Sequence, residues 1–218
     1  MRTGSAAMRT LLAAAVPVGL VLSAAVVWQS TAAAFTASTD NAGNTWQAGS
    51  VVLTDSDGGS ALFDSTRDSA LQPGSTRPRC IRVDYTGSLP ATVKLYVTTP
   101  TSGATSLDGY LVMSIERGQD VAPGTTVAPD CSTGFTPTST PTFLFNTASA
   151  ANAGADQTRT MSALKAANYD YTTGLLVGSP VPQNTGLTFR VTYSVKDDNN
   201  AQSTQSRAAF TWEARNTP

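Results

Sequence analysis

Period-two alternation of apolar and polar residues is the feature that most restricts the fold of this chain. Between Leu187 and Val195 every second residue is apolar, and the residues between them are polar or charged. Successive side chains of a β-strand point to opposite faces, so this pattern predicts a strand with one buried face. Similar alternation occurs in 80–85, 91–99 and 110–117, and Gly or Pro follows each segment closely. A chain built of such segments is predicted to be all-β.

The turns between these segments predict which strands pair. Thr86–Pro90 interrupts the alternation between 80–85 and 91–99, so we expect those two strands to form an antiparallel pair with one buried and one solvated face. After 187–195, a polar loop precedes Ser206–Glu213, where apolar residues alternate again. We expect this segment to return as the second strand of a hairpin.

The middle of the chain contains a long segment without periodicity, from Gly118 to about residue 157. Because such a segment is unusual inside a compact domain, we interpret it as an excursion tied down by Cys131, with Phe143 and Phe145 returning to the core. Thr160–Ala167 is the one plausible helix after the N-terminal segment. Several strands with turn signals and one short helix predict a single antiparallel β-sandwich of the jelly-roll type.

Residues 1–34 have the features of an export signal. Two arginines precede an apolar run, and Ala32 and Ala34 supply the small residues before a cut that leaves Phe35 as the new N-terminus. The apolar run is expected to be helical and is slightly long for a signal, so an uncleaved anchor is the alternative. We therefore expect one β-sandwich domain over 35–218, secreted or at the cell surface, without membrane contact after signal removal.

Two cysteines, Cys80 and Cys131, follow the signal segment. In an oxidising compartment they are expected to form a structural disulfide. The closed loop would stabilise the fold by roughly 4 kcal/mol through the entropy of the unfolded chain. A reactive thiol pair is the alternative, although the two residues are not in a C-x-x-C arrangement.

Short sequence phrases along the chain resemble the mature start and the later strands of the TasA/camelysin family of secreted bacterial proteins. They are Ala34–Ser38, Gly43–Gly49, Val51–Leu53, Cys80–Pro90 and Phe210–Ala214. The resemblance implies a jelly-roll β-sandwich. It also implies a subunit of biofilm matrix fibres, since several family members build them, while members named camelysin are associated with metallo-endopeptidase activity.

The absence of histidine argues against an enzyme. The chain contains no histidine, so neither the H-E-x-x-H zinc site of a metalloprotease nor the usual histidine base of a serine or cysteine hydrolase can be built. A Ser–Lys dyad is formally possible with Lys94, Lys165 or Lys196, whose sequence contexts predict exposure. We expect no enzymatic activity and no cofactor, and a camelysin-like endopeptidase is the disfavoured alternative.

Two acidic turns are the candidate metal sites. Asp55 and Asp57 precede Gly58, but the twelfth residue counted from Asp55 is Thr66, so the segment is not an EF-hand. Asp197–Asn200 is similarly ambiguous. Turns between strands favour the same residues for steric reasons, and we predict turns without metal at both places.

Charge and aromatic residues bear on the remaining ligand classes. Signal removal takes away two of the 14 basic residues and none of the 15 acidic ones, which leaves a net charge of −3. A chain with this net charge lacks the excess of basic residues that is typical of proteins that bind nucleic acid or an anionic membrane. Trp46 and Trp212 could line a carbohydrate-binding face, but Trp212 lies on the apolar side of its strand, where burial is the default. An extracellular carbohydrate- or cell-wall-binding module is therefore the alternative function.

The predicted function is self-association. The family resemblance is the main basis of this prediction. The expected donor strand consists of Phe35, Thr36, Ala37, Ser38 and Thr39, which are uncharged and which export processing would free. Asn41–Asn44 would be its hinge. Added to an exposed sheet edge of a neighbour, this strand would join copies into a fibre. The alternative is that it pairs within its own sheet. Expected partners are other copies of the chain and other matrix components.

Overall fold

Two antiparallel sheets contain most of the regular structure in the computed structural model, which describes residues 50–64, 67–68, 71–100, 105–147 and 155–216. A short 3-10 helix, Asn199–Ala201, follows the seventh strand. The strands and the α-helix of these ranges are β1 Leu53–Asp55, β2 Thr76–Tyr85, β3 Ala91–Thr98, β4 Leu111–Gly118, β5 Pro137–Phe145, α1 Met161–Ala167, β6 Leu175–Val181, β7 Thr185–Val195 and β8 Ala209–Asn216.

The two sheets face each other across one hydrophobic core. The larger sheet has the order β1-β2-β7-β4-β5 and the smaller one β6-β3-β8, with antiparallel neighbours throughout. Leu95 of the smaller sheet and Ile115 and Phe189 of the larger one are all completely buried in this core. The predicted all-β sandwich with one short helix is therefore confirmed for the described residues, while the predicted N-terminal signal helix falls in a part of the chain that is not described.

The predicted pairing of 80–85 with 91–99 is wrong. β2 belongs to the larger sheet and β3 to the smaller one, so the turn between them crosses from one layer to the other. The hydroxyl of Tyr85 donates a hydrogen bond to the carbonyl of Leu89, which ties the crossing turn to the end of β2. Gly87 lies so close to this hydroxyl that a Cβ atom there would be 2.5 Å from it. Glycine thus permits a sharp corner between the two layers. The sequence analysis interpreted this corner as a hairpin turn.

The predicted hairpin of 187–195 with Ser206–Glu213 is wrong for the same reason. β7 lies in the larger sheet, whereas β8 pairs with β3 in the smaller one, from Ala91 opposite Asn216 to Thr98 opposite Ala209. The connection between β7 and β8 is long enough to cross the end of the sandwich, and Ala201 and Ala208 pack against the core along it. Burial of its few apolar residues therefore guides the chain to the opposite layer.

The outer face of the larger sheet is covered by protein, which corrects the expectation that it is solvated. Residues 119–136, called the cover below, lie over it and form a short bridge from Val121 to Gly186 of β7. As a result Arg82, Asp84 and Glu116 are each less than 10% exposed. The first part of the predicted excursion is therefore a second layer over the sheet, whereas Pro137–Phe145 forms the strand β5 of the sheet itself.

The return of the excursion and the helix agree largely with the sequence analysis. Phe145 is buried in the core, but Phe143 is only half-buried and lies outside it. The helix α1 begins after Thr160, whose side chain accepts a hydrogen bond from the Ala163 amide at 3.3 Å, and its Leu164 is completely buried. No helix in the described ranges has the length and apolar character needed to cross a membrane.

Candidate functional site

Most sheet edges in the described chain are unsuited to pairing with another strand. β1 is only three residues long. β5 contains Pro137 and Pro141 and pairs irregularly with β4, and β6 contains Gly178 and Pro180 and pairs irregularly with β3. Where β2 extends beyond β1, its edge contains Pro78. Short strands, prolines and bulges are the features that protect edges from unwanted pairing.

β8 is the exception among the described strands. It runs for eight residues without proline, and its register with β3 is unbroken along its whole length. In the described part of the chain β3 is its one neighbouring strand, so its other side is a sheet edge. A regular edge of this length presents a row of backbone N–H and C=O groups that another strand can pair with.

Trp212 occupies the middle of β8 and faces the core. Its ring packs against Phe189 of the opposite sheet, with ring centroids 5.4 Å apart. Its Nε1 atom is buried and has no hydrogen-bond acceptor among the described residues. Buried indole N–H groups usually have a hydrogen-bond partner. An acceptor from outside these residues would satisfy the N–H group of Trp212 at this edge. The inward orientation agrees with the prediction that Trp212 belongs to the core.

The charged side chains of β8 are engaged on the outer face of the smaller sheet. Glu213 accepts hydrogen bonds from the Tyr96 hydroxyl at 3.0 Å and from Arg215 Nε at 2.8 Å. The Arg215 guanidinium lies 3.8 Å from the ring centroid of Tyr171. These contacts hold both charges against the sheet face, so they do not protect the edge in the way that free lysines would.

The residues predicted to donate the added strand fall outside the described ranges. These residues are Ala32 and Ala34 of the cleavage site, Phe35–Thr39 of the donor strand, and Trp46. The structure therefore describes a candidate acceptor edge, whereas the donor strand stays a prediction from the sequence.

The two cysteines form the predicted disulfide. Cys80 is on β2 and Cys131 is in the cover, and their Cα atoms are 5.0 Å apart. The Cys80 amide also donates a hydrogen bond of 3.0 Å to the carbonyl of Pro129. The cover is thus joined to the larger sheet by one covalent bond and by backbone contact beside it.

Two ion pairs lie beneath the cover, where the sequence analysis expected solvent. Arg82 Nε is 2.6 Å from Asp84 Oδ1, and Asp84 Oδ2 accepts a hydrogen bond of 3.1 Å from the Gly124 amide of the cover. Arg190 donates to Glu116 Oε2 from Nε at 3.0 Å and from a terminal nitrogen at 2.5 Å. Pairing of this kind makes the burial of charged groups tolerable. The one sequence feature that indicated a covered face was the cysteine in the excursion, because a disulfide to Cys80 ties this segment to a strand.

The Lys165 side chain is only 10% exposed, so its predicted exposure is wrong. Its ammonium is 2.7 Å from Asp108 Oδ2 and donates to the carbonyl of Arg207 at 2.6 Å. Ser206 donates a hydrogen bond to the other oxygen of Asp108. The lysine is thus paired with a carboxylate that separates it from the serine, whereas a Ser–Lys dyad requires direct contact. This cluster joins α1, the turn before β4 and the segment before β8. Lys94 and Lys196 are partly exposed.

The acidic turn after β1 has the geometry that its glycines require. Gly58 and Gly59 have φ angles of 64° and 79°, in the left-handed region that glycine tolerates best. The Gly59 amide donates to Asp55 Oδ1 at 2.9 Å and to Asp57 Oδ1 at 3.1 Å. Within the described ranges, no group of three or more potential His, Cys, Asp or Glu ligands is arranged to hold a metal ion.

The two carboxyl groups of this turn make the stability of the protein pH-dependent. Burial, the hydrogen bond with Asp55 and the charge of Asp55 raise the pKa of Asp57 to about 6. Burial opposes the ionisation of Asp55, but hydrogen bonds from Asp57 and the turn amides lower its pKa overall. Because the folded protein holds the Asp57 proton more tightly than the unfolded chain, Asp57 lowers the free energy of unfolding as pH rises from about 4 to about 6.

Asp57→Asn is expected to remove this contribution, since an amide does not ionise. Urea denaturation at pH 4 and pH 7 should show a smaller loss of stability between the two values than in the wild-type protein, and a higher free energy of unfolding at pH 7. Asp197→Asn, on the exposed loop after β7, is the matched control. Identical pH dependence in Asp57→Asn and wild type would contradict the assignment.

Comparisons with known proteins add no family to this description. No protein-family model matches the chain, and no curated protein matches it. The function proposed below is therefore supported by the sequence resemblance and by the geometry of the sheet edges.

Proposed function

We propose that this chain is a secreted structural protein with a jelly-roll type of sandwich, and that its copies assemble into extracellular matrix fibres by strand donation. Cleavage after Ala34 frees the donor strand Phe35–Thr39, which then pairs with β8 of the next copy. The single observation that carries the proposal is the regular edge of β8, which has β3 as its one neighbouring strand among the described residues.

The donor strand and the β8 edge have complementary properties. Phe35–Thr39 is uncharged and contains an aromatic and two β-branched residues, which favour β-structure. Main-chain hydrogen bonds between the two strands would supply affinity, and alternate side chains would supply specificity. Phe35 would enter the apolar side of the sandwich near Phe210 and Trp212, and its burial would contribute roughly 1.5–3 kcal/mol.

Phe35→Asp is expected to abolish fibre formation without unfolding the monomer, because a carboxylate cannot be buried unpaired beside this core. The secreted protein should be followed by negative-stain microscopy and by sedimentation of polymer, and its N-terminus should be determined by mass spectrometry. Phe35→Leu, which keeps an apolar side chain, is the control that should retain fibres.

The outcomes separate donation between copies from pairing within one chain. Donation predicts loss of fibres in Phe35→Asp with an unchanged thermal midpoint of the monomer. Pairing within its own sheet predicts a lower thermal midpoint of the monomer instead. Intact fibres assembled from Phe35→Asp subunits would exclude the proposed donor.

A further inference from the structure

We propose that the Cys80–Cys131 disulfide is a latch that keeps the cover closed over the charged outer face of the larger sheet. Its reduction opens the cover while the two sheets of the sandwich stay folded. The inference concerns a different part of the molecule from the assembly edge and does not depend on fibre formation.

The cover contributes little to the hydrophobic core. Val127 is its one buried residue in the described chain, and Val121 and Phe135 are partly exposed. Segments with few buried apolar contacts and exposed backbone open most easily, at a free energy below that of global unfolding. The composition of the cover therefore makes it a separate, weakly held unit on a stable sandwich.

Noncovalent contacts to the sheet are mostly polar. They include the Gly124–Asp84 and Cys80–Pro129 hydrogen bonds described above and an Arg117–Asp120 ion pair. Val121 and Gly186 exchange two backbone hydrogen bonds of 2.9 and 2.8 Å, and Thr188 donates to the carbonyl of Gln119 at 2.9 Å. Phe135 stacks on the Arg190 guanidinium at 4.9 Å. Water can replace the polar contacts when the cover opens, so each contributes little net stability.

The surface beneath the cover tolerates exposure. It contains the Arg82–Asp84 and Glu116–Arg190 pairs, together with the buried hydroxyl of Thr188. Charged and polar groups regain hydration when they are uncovered, in contrast to apolar core residues, whose exposure is unfavourable. Opening the cover therefore leaves the hydrophobic core between the sheets intact.

The disulfide is the strongest link between the cover and the sheet. It closes a loop between residues 51 positions apart, and such closure removes much of the freedom of the open chain. Cys131 also has a φ of 64°, a region that residues other than glycine rarely occupy unless the surrounding structure imposes it. Once the covalent bond is broken, the backbone at Cys131 is free to relax away from the sheet.

The exposure of the two cysteines determines which sulfur atom the reductant attacks first. Cys80 is 3% exposed and Cys131 is partly exposed, so the thiolate of a dithiol reductant attacks Cys131 Sγ. A mixed disulfide forms, the Cys80–Cys131 bond breaks, and Cys80 leaves as a thiolate that takes up a proton. The second thiol of the reductant then attacks the mixed disulfide and releases Cys131. Two electrons and two protons pass from the dithiol, which becomes a cyclic disulfide.

The test is hydrogen–deuterium exchange mass spectrometry on the folded full chain before and after treatment with dithiothreitol, with alkylation to verify that both cysteines are reduced. We expect exchange in peptides from residues 119–136 to become at least tenfold faster, while peptides from β3 and β8 keep their protection. Because reduction is applied to folded protein, the test does not depend on a variant folding.

A Cys80→Ala/Cys131→Ala variant supplies the matched control. It should show fast exchange in the cover without dithiothreitol and no further change with it. Unchanged exchange of the cover in fully reduced protein would show that the disulfide is not a latch. Simultaneous loss of protection in every strand would show that reduction unfolds the whole domain, and it would overturn the proposal equally.

Discussion

Replacing Lys165 by methionine is expected to lower the free energy of unfolding by about 3–5 kcal/mol. The Lys165 and Asp108 side chains are only 10% and 6% exposed, and their charged atoms are 2.7 Å apart. Methionine fills a similar volume but leaves Asp108 buried without its cation, with the Ser206 hydroxyl as its remaining side-chain partner. Because the cluster joins three segments, its loss should destabilise the whole domain, as urea denaturation at neutral pH will measure.

Lys94→Met is the matched control for this substitution. Lys94 is partly exposed, makes no ion pair within the described ranges, and donates to the carbonyl of Thr172 at 3.1 Å. Its loss should change stability by no more than about 1 kcal/mol. Adding Asp108→Asn to Lys165→Met should restore part of the lost stability, because the unpaired charge is then removed. A loss below about 1 kcal/mol in Lys165→Met would mean that the buried pair is not stabilising.

Phe189→Ala is expected to cost about 3–5 kcal/mol, the range typical of large aromatic side chains removed from a core. Phe189 is completely buried on β7 and contacts Trp212 of the opposite sheet. Thermal and urea denaturation should both report the loss. A double-mutant cycle with Trp212→Leu should give a coupling of about 0.5–1.5 kcal/mol, the usual contribution of an aromatic pair beyond its buried area.

Phe143→Ala provides the comparison for the core substitution. Phe143 lies on the edge strand β5, is half-buried and is not part of the core. Its truncation should cost about 1 kcal/mol, since less apolar surface is returned to water. Equal losses for Phe143→Ala and Phe189→Ala would contradict the packing of the two sheets around Phe189.

The positions of β2, β3, β4, β7 and β8 were predictable from sequence because they depend on local periodicity, whereas β5 and β6, which lack it, were not predicted. The alternation in 91–99 corresponds to β3, in which Ala91, Val93, Leu95 and Val97 are completely buried while the residues between them are half-exposed. The helix was predicted from the run of good helix formers in 160–167, and the structure has it at Met161–Ala167, with Thr160 as a cap that the sequence analysis did not identify. Alternation specifies which face of a strand is buried, and propensity specifies where a helix begins.

Neighbouring strands were not predictable, because alternation carries no information about the partner. The turn at Gly87 was interpreted as joining two strands of one sheet, although it joins two layers. The polar face of β2 was similarly ambiguous. Arg82 and Asp84 satisfy the pattern of a solvated face equally well when they are paired and covered. The edge of β8 depends on which strands lie beside it, so tertiary structure was needed to identify it.

The pairing of β3 with β8 has a consequence for how this protein folds. The hydroxyl of Tyr96 and the carboxylate of Glu213 meet across these strands although they are 117 residues apart in the chain. Folding rates fall as contacting residues become more distant in sequence, because the entropy of a long loop is lost before the contact forms. The smaller sheet can close only after the chain has been completed through Asn216. We therefore expect slow folding, with the smaller sheet incomplete until β8 has been synthesised.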